Sequence, residues 1–390
     1  MINEEILTPK FQAYLRTIEK EDIRNIGLKK SLFSTITSAE IAQQLKGLQV
    51  AKQKFPTLYQ TENIYFPPSV NLEQASSEAT ANYKASLVKG KKIIDLTAGL
   101  GIDSIAFANS FDEVIHIEQN PDLSEIVNHN VQALNKNITC YNLTFDEYFK
   151  ANPTEKFDVI YLDPARRNES GRKFILEDLE PNILEYIDLF FDKAPQVLVK
   201  LSPLLDLSLT IEQIPCIKQI HLVAVKNEVK DFLILLEKNL VNNNPQIFCV
   251  NLEQDQTIYS YSFLDENQST APFSGVKKYI YSPNSAILKA GAFKSICSIY
   301  NITKLHQNTH LYTSDELIEN FPGRIFEVEE FIKNPKKEIA KTKANLLVKN
   351  YPENIDVIKK KFKIIDGGLI TYIFTQSIDG IHILKTKKYA

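Results

Sequence analysis

The chain has 390 residues, of which 44% are hydrophobic and 24% charged. This is globular composition, which excludes a disordered or fibrous polymer, and the length predicts two or three domains. The four cysteines, Cys140, Cys216, Cys249 and Cys297, are far apart, with no CxxC pair and no neighbouring His. That argues against a disulfide framework or a structural metal and suits a reducing, cytoplasmic setting. No run approaches 18 apolar residues and the N-terminal stretch has no signal-peptide layout, so neither a membrane span nor secretion is expected. The net charge of -3 conceals an asymmetry: residues 276–390 carry 19 Lys/Arg and 11 Asp/Glu, a balance of +8 against -11 for the rest. Such a basic part points to a polyanionic partner, or else to a solvated basic face.

Residues 1–70 place apolar side chains at helical spacing (Ile6, Phe11, Leu15, Ile18; Ile41, Leu45, Leu48) and predict a helical N-terminal region. Within it, PTLYQTENIYFPPSV carries three prolines and reads as a linker. Asn71, with Gln74 three residues on, resembles a capping box that opens the next helix.

From Lys91 the pattern becomes short apolar runs separated by helix-length stretches: 93–96, 114–117, 138–141, 159–162, 197–201, 221–225 and 232–236. This alternation predicts an α/β domain over 71–275, a Rossmann-like parallel sheet with helices on both faces. The last two runs are joined only by KNEVKD, too short for a crossover, so they should form an antiparallel pair at the sheet edge. Residues 276–390 alternate short strands and helices and predict a small α+β region.

The first strand ends in IIDLTAGLGIDS, with Asp95 at its carboxyl end, Thr97 in the turn, and Gly99 and Gly101 before a helix. Ligands bind at this edge of an open α/β sheet. The dinucleotide fingerprint is incomplete because Ser104 holds its third glycine position, and an acid precedes the glycines, the wrong sign beside a phosphate. A ligand with a cationic amine and no phosphate, S-adenosylmethionine (SAM), fits better. Asp95 would bond its ammonium, Glu118, at the end of the second strand, its ribose hydroxyls, and Asp146, after the third, its adenine amino group.

After the fourth strand, VIYLDPARR sets Asp163 and Pro164 across the same crevice. With these motifs the chain resembles the class I SAM-dependent methyltransferases from about Asn71 to Glu237. Members acting on exocyclic base amines carry [DNS]-P-P-[YFW] here. Asp163-Pro164-Ala165-Arg166 departs at the last two positions and lacks the aromatic on which a flipped base would stack. Arg166 and Arg167 are candidate phosphate contacts, or structural partners of an acid such as Glu169 or Asp178. Carbon-5 pyrimidine methylation is disfavoured, because no Cys lies in these motifs.

EQASSEATANYKA, KLSPLLD and KNEVKD, with SPNSAILKAGAF, HQNTHLYTS, FPGR, NYP and DGG beyond them, are similar to methyltransferases with a C-terminal THUMP-like domain. The resemblance implies catalysis by Asp163 and Pro164, no metal, and structured RNA, tRNA or rRNA, held by the ferredoxin-like/THUMP-like region. Lys289, Lys294, Arg324 and Lys349 are its candidate contacts. The competing readings are methylation of a protein or small molecule, and an RNA-binding protein whose methyltransferase domain is catalytically silent.

Overall fold

The computed structural model describes residues 2–28, 30–166, 175–253 and 257–389. Compactness divides the chain into two units, Met1–Lys218 with Leu233–Val241, and Gln219–Phe232 with Asn242–Ala390.

The main sheet has nine strands: β1 (Lys92–Asp95), β2 (Glu113–Ile117), β3 (Ile138–Tyr141), β4 (Val159–Leu162), β5 (Gln196–Leu201), β6 (Ile217–Val225), β7 (Glu228–Glu237), β8 (Gln246–Leu252) and β9 (Tyr259–Ser262). Their order is β9-β8-β6-β7-β5-β4-β1-β2-β3. The β3-β2-β1-β4-β5 portion is parallel throughout; β1, β2, β4 and β5 are mostly buried, as strands covered on both faces are, while β3, at the end of the sheet, buries only Ile138. Each of the seven apolar runs read from the sequence falls on a strand, with Leu96 alone running one residue past the end of β1. Lys226 and Asn227, with φ of 50° and 64°, make the two-residue turn between β6 and β7, and two positive φ values are what a tight hairpin requires. The antiparallel pair is therefore present, but it is not the edge: β8 adds parallel to β6, and β9 antiparallel to β8.

The proline-bearing stretch expected to be a linker packs instead as core. Tyr65 and Phe66 are buried. The Tyr65 N–H donates to Asn130 Oδ1 at 2.9 Å, and the Phe66 N–H to Gln44 Oε1 at 2.9 Å. Phe66 lies so close to the helix Ser38–Lys54 that a Cβ on Gly47 would sit 2.1 Å from its own Cβ. The expected capping box at Asn71 is also displaced. Asn71 lies inside a short helix, Ser69–Gln74, and the next helix, Glu78–Ser86, is capped by Ser77, whose hydroxyl accepts from the Thr80 N–H.

The second unit is built on a seven-stranded sheet of β10 (Tyr279–Pro283), β11 (Thr303–His306), β12 (Thr309–Ser314), β13 (Gly323–Phe331), β14 (Asn345–Lys349), β15 (Ile370–Ser377) and β16 (Gly380–Lys388). The order is β11-β12-β10-β13-β16-β15-β14. Ile280, Leu305, Leu311, Phe326, Leu347, Ile373 and Leu384 form one core. Ile358 and Phe362 of the helix Ile355–Phe362 close a second over Tyr372, Phe374 and Ile383. Burial of each such side chain contributes about 1.5–3 kcal/mol. Gly323 is required where β13 meets β10, because a Cβ there would lie 2.2 Å from the Ser282 carbonyl oxygen.

Candidate active site

The carboxyl ends of β1, β2, β4 and β5 bring Thr97, Gly99, Glu118, Asp163 and Lys200 together. Gly99 and Gly101 both have positive φ, 53° and 77°, which glycine adopts without steric cost. They turn the chain between β1 and the helix Ile102–Phe107. At Gly101 a Cβ would press on Val127 at 2.9 Å; at Gly99 it would meet only the Thr97 carbonyl at 4.0 Å. The turn is thus packed on its inner side and open at Gly99.

Glu118 holds this turn. Its Oε2 accepts the Gly99 N–H at 3.0 Å, and its Oε1 the Asn120 N–H at 2.6 Å. Burial raises its pKa, and backbone N–H groups of Asn120, Gly99 and Gln119 oppose that rise. Each carboxylate oxygen has a second lone-pair direction, so the pair can still accept from a vicinal diol.

Asp95 is the last residue of β1, the strand end at which its spacing places it. It is wholly buried. Its oxygens take the Thr97 N–H (3.3 Å) and the Ser104 hydroxyl (2.8 Å). Burial, with the Asp103 and Asp163 charges, holds its carboxyl well above the usual range, against Ser104 and Thr97. As placed here it organises the turn from beneath and presents no exposed oxygen to an ammonium. The Ser104 hydroxyl also lies 3.2 Å from Nδ1 of His116; burial pushes the pKa of this imidazole down to about 3.

Across the crevice, the Asp163 N–H donates to Thr97 Oγ1 at 2.6 Å, tying the end of β4 to the turn after β1. The Asp163 carboxylate forms an ion pair with Lys200 of β5. Pro164 follows, buried. Lys200 was not among the residues singled out from the sequence, although its signal was there: a lone charge inside VLVKL, on a strand buried on both faces. Beneath the site lies a second ion pair that sequence reading missed. Lys84, fully buried, reaches Asp103 Oδ1 at 2.7 Å, and Tyr161 of β4 donates to Asp103 Oδ2 at 3.0 Å. Burial would raise the Asp103 pKa, but the Lys84 charge and hydrogen bond bring it below the ordinary value.

The other candidates are more dispersed. Asp146 lies half-buried in the first turn of the helix Phe145–Ala151 and bonds to no other candidate among the described residues. Arg166 is described as backbone in a two-residue strand, and Arg167 lies outside the described residues. Lys289 is in the last turn of the helix Ser285–Ala290; Lys294 and Arg324 are exposed, and Lys349 ends β14. Burial raises the pKa of all four thiols, to about 12 for Cys140 and Cys297, so none is poised as a thiolate nucleophile. Among the described residues no His/Cys/Asp/Glu group could hold a metal ion, and no helix is long and apolar enough to cross a membrane.

Residues 74–185 match the family described as conserved hypothetical protein 95, residues 279–322 a ferredoxin-like domain, and residues 323–385 a THUMP domain-like family. A SAM-dependent methyltransferase of Mycobacterium tuberculosis, named as uncharacterised, is 19% identical over 78% of this chain and 83% of its own. A crystal structure described as a candidate methyltransferase of Porphyromonas gingivalis W83 superposes with a TM-score of 0.89 at 29% identity, covering 100% of both chains. The chain is a class I SAM-dependent methyltransferase with a C-terminal THUMP-like domain. Ribosomal RNA small subunit methyltransferase J of Coxiella burnetii is 31% identical over 112 residues, which is 27% of this methyltransferase and 43% of that enzyme. The ferredoxin-like and THUMP-like matches meet at Gly323 of the methyltransferase, where β10 and β13 pair within one sheet.

Proposed function

We propose that this methyltransferase transfers the methyl group of SAM to a base of structured RNA, tRNA or rRNA, held by its basic C-terminal region. The observation that carries the RNA reading is the +8 balance of residues 276–390, over a stretch that includes the THUMP-like match. The name of the Coxiella relative points the same way.

The chain's own groups fit the cofactor. The open side of Gly99 lets a ligand approach the backbone closely, and Glu118 presents a carboxylate edge suited to a ribose diol. Asp146 is assigned to the adenine amino group, and Thr97 and Gly101 shape the turn. When bound, SAM supplies an electrophilic methyl on a sulfonium. Asp163 accepts a hydrogen bond from the acceptor amine, which directs the nitrogen lone pair toward that methyl. Lys200 and the Thr97 hydroxyl hold Asp163 in place, so orientation is set before the acceptor arrives. Pro164 restricts the backbone at this point. Arg166 and Arg167 are assigned to RNA phosphate.

Nucleoside mass spectrometry of RNA from wild-type and deletion cells tests this. One methylated nucleoside missing from deletion RNA and restored by complementation supports it. Identical RNA, with methyl label entering protein or a small molecule, overturns it.

A further inference from the structure

Two motifs that the methyl-transfer site does not use, FPGR and NYP, meet in the second unit. Arg324, from the first, and Lys349 to Ile355, around the second, line one groove of about 640 Å³. The groove is open to solvent along its length and has room for a small ligand. The sheet brings them together although 25 residues separate Arg324 from Lys349 in sequence. Arg324 follows Gly323 on β13, and Lys349 is the last residue of β14.

The charge in this groove is one-sided. Arg324 and Lys349 have no carboxylate partner among the described residues. The one carboxylate lining the groove, Glu353, is taken by Lys361 at 2.7 Å. Two uncompensated cations in a concave site suit an anion. A guanidinium fork can hold two oxygens of a phosphate while an ammonium acts as a point charge on a third. Tyr351, half-buried and packed edge-on against Phe374 at 5.2 Å, supplies an aromatic wall beside them. Leu346 and Val348, partly buried on the neighbouring core, complete an apolar side. Cations on one side and an aromatic ring on the other are the combination that holds an unstacked nucleotide.

We infer that this groove binds one unstacked ribonucleotide of the RNA substrate, its phosphate between Arg324 and Lys349 and its base beside Tyr351. The inference rests on the RNA reading given above. It assigns the C-terminal region a single-stranded end or loop as its anchor, rather than a diffuse attraction to the helical part of the RNA.

Fluorescence anisotropy of the full-length chain with two labelled RNAs, a hairpin with a single-stranded tail and the same hairpin blunt, tests this across a salt series. Wild-type protein should prefer the tailed hairpin. Arg324→Ala/Lys349→Ala should lose that preference, weaken binding about tenfold or more at low salt, and flatten the slope of log K against log salt by about 0.7, the contribution of the one single-strand phosphate held between them. Tyr351→Leu should reduce the tail preference and leave the salt slope unchanged. The control, Lys336→Ala/Lys337→Ala, removes the same charge from an exposed site in the same unit; it should keep the preference and most of the affinity. Equal weakening by the two double variants would overturn the groove in favour of a diffuse basic surface. So would wild-type tail binding by a groove variant that melts like the wild type. If wild-type protein methylates RNA while the groove variants bind normally, the groove fails and the function stands. If wild-type protein neither binds nor methylates RNA, the RNA reading itself fails.

Discussion

Glu118→Ala separates ligand binding from loop architecture. In the folded protein the Glu118 carboxylate accepts two backbone N–H groups, at 3.0 Å from Gly99 and 2.6 Å from Asn120, and keeps lone pairs for a diol. Hydrogen bonds to a charged acceptor contribute about 1.5–3 kcal/mol each. Loss of one ribose contact therefore weakens SAM about tenfold, and loss of both by 100-fold or more. The freed Gly99 and Asn120 N–H groups lie at a crevice that water can enter, so the cost to folding should be smaller, about 1 kcal/mol. Isothermal titration with SAM reads the first quantity and a denaturant midpoint the second. Glu118→Gln, which retains one carbonyl acceptor, should fall between alanine and wild type. Because burial raises the Glu118 pKa, the cofactor-competent carboxylate is lost at a higher pH than for an ordinary Glu. Wild-type affinity should then decline as pH falls through that raised value, and the alanine variant should not share the decline. Alanine and wild-type proteins with equal SAM affinity would remove Glu118 from the site.

Asp163→Ala should lose most methyl transfer with a minor change in SAM affinity, and Lys200→Met should slow transfer by at least about tenfold by releasing Asp163. Single-turnover rates beside titrations check both, and full turnover in either variant assigns its residue to structure alone. Burial holds the Asp95 pKa well above 3.8. Its stabilising contribution is thus complete below the unfolded-state value and is lost as pH rises through the folded value. Asp95→Asn, which keeps an acceptor for the Thr97 N–H and a donor toward Ser104, should flatten that decline; denaturant midpoints from pH 4 to 8 that fall as steeply in the variant as in wild type would refute it. Gly47→Ala should destabilise the protein by about 1–3 kcal/mol, since a Cβ would overlap Phe66. An unshifted midpoint would mean that residues 64–66 are not packed on that helix.

The parallel strands were legible because a strand buried on both faces is a near-continuous apolar run, and β1, β2, β4 and β5 have that form, whereas β3 at the sheet edge buries only Ile138. The strands β8 and β9 were harder to see. Buried Asn251 interrupts β8, and the Asn227 N–H donates to its side chain, so a polar residue there serves the hairpin turn. Prolines at 56, 67 and 68 suggested a linker, because local composition does not show that Gly47 leaves room for Phe66. At the site, spacing along the chain located Asp95, Glu118 and Asp163 at strand ends. Burial of Asp95 depends on Ser104 folding back over it, and the Asp163–Lys200 pair depends on β4 and β5 being neighbours. Both are tertiary facts that motif spacing alone does not encode.

Methyl transfer in vitro tests the central claim most directly. The full chain would be incubated with SAM carrying a labelled methyl group and with total RNA from cells that lack the protein. The label would then be followed through nuclease digestion and nucleoside chromatography. The account predicts nuclease-sensitive label in a single methylated base, abolished by Asp163→Ala and reduced by Glu118→Ala in proportion to lost SAM binding. Label that survives nuclease and follows protein, or SAM binding with no transfer to RNA from deletion cells, would contradict it.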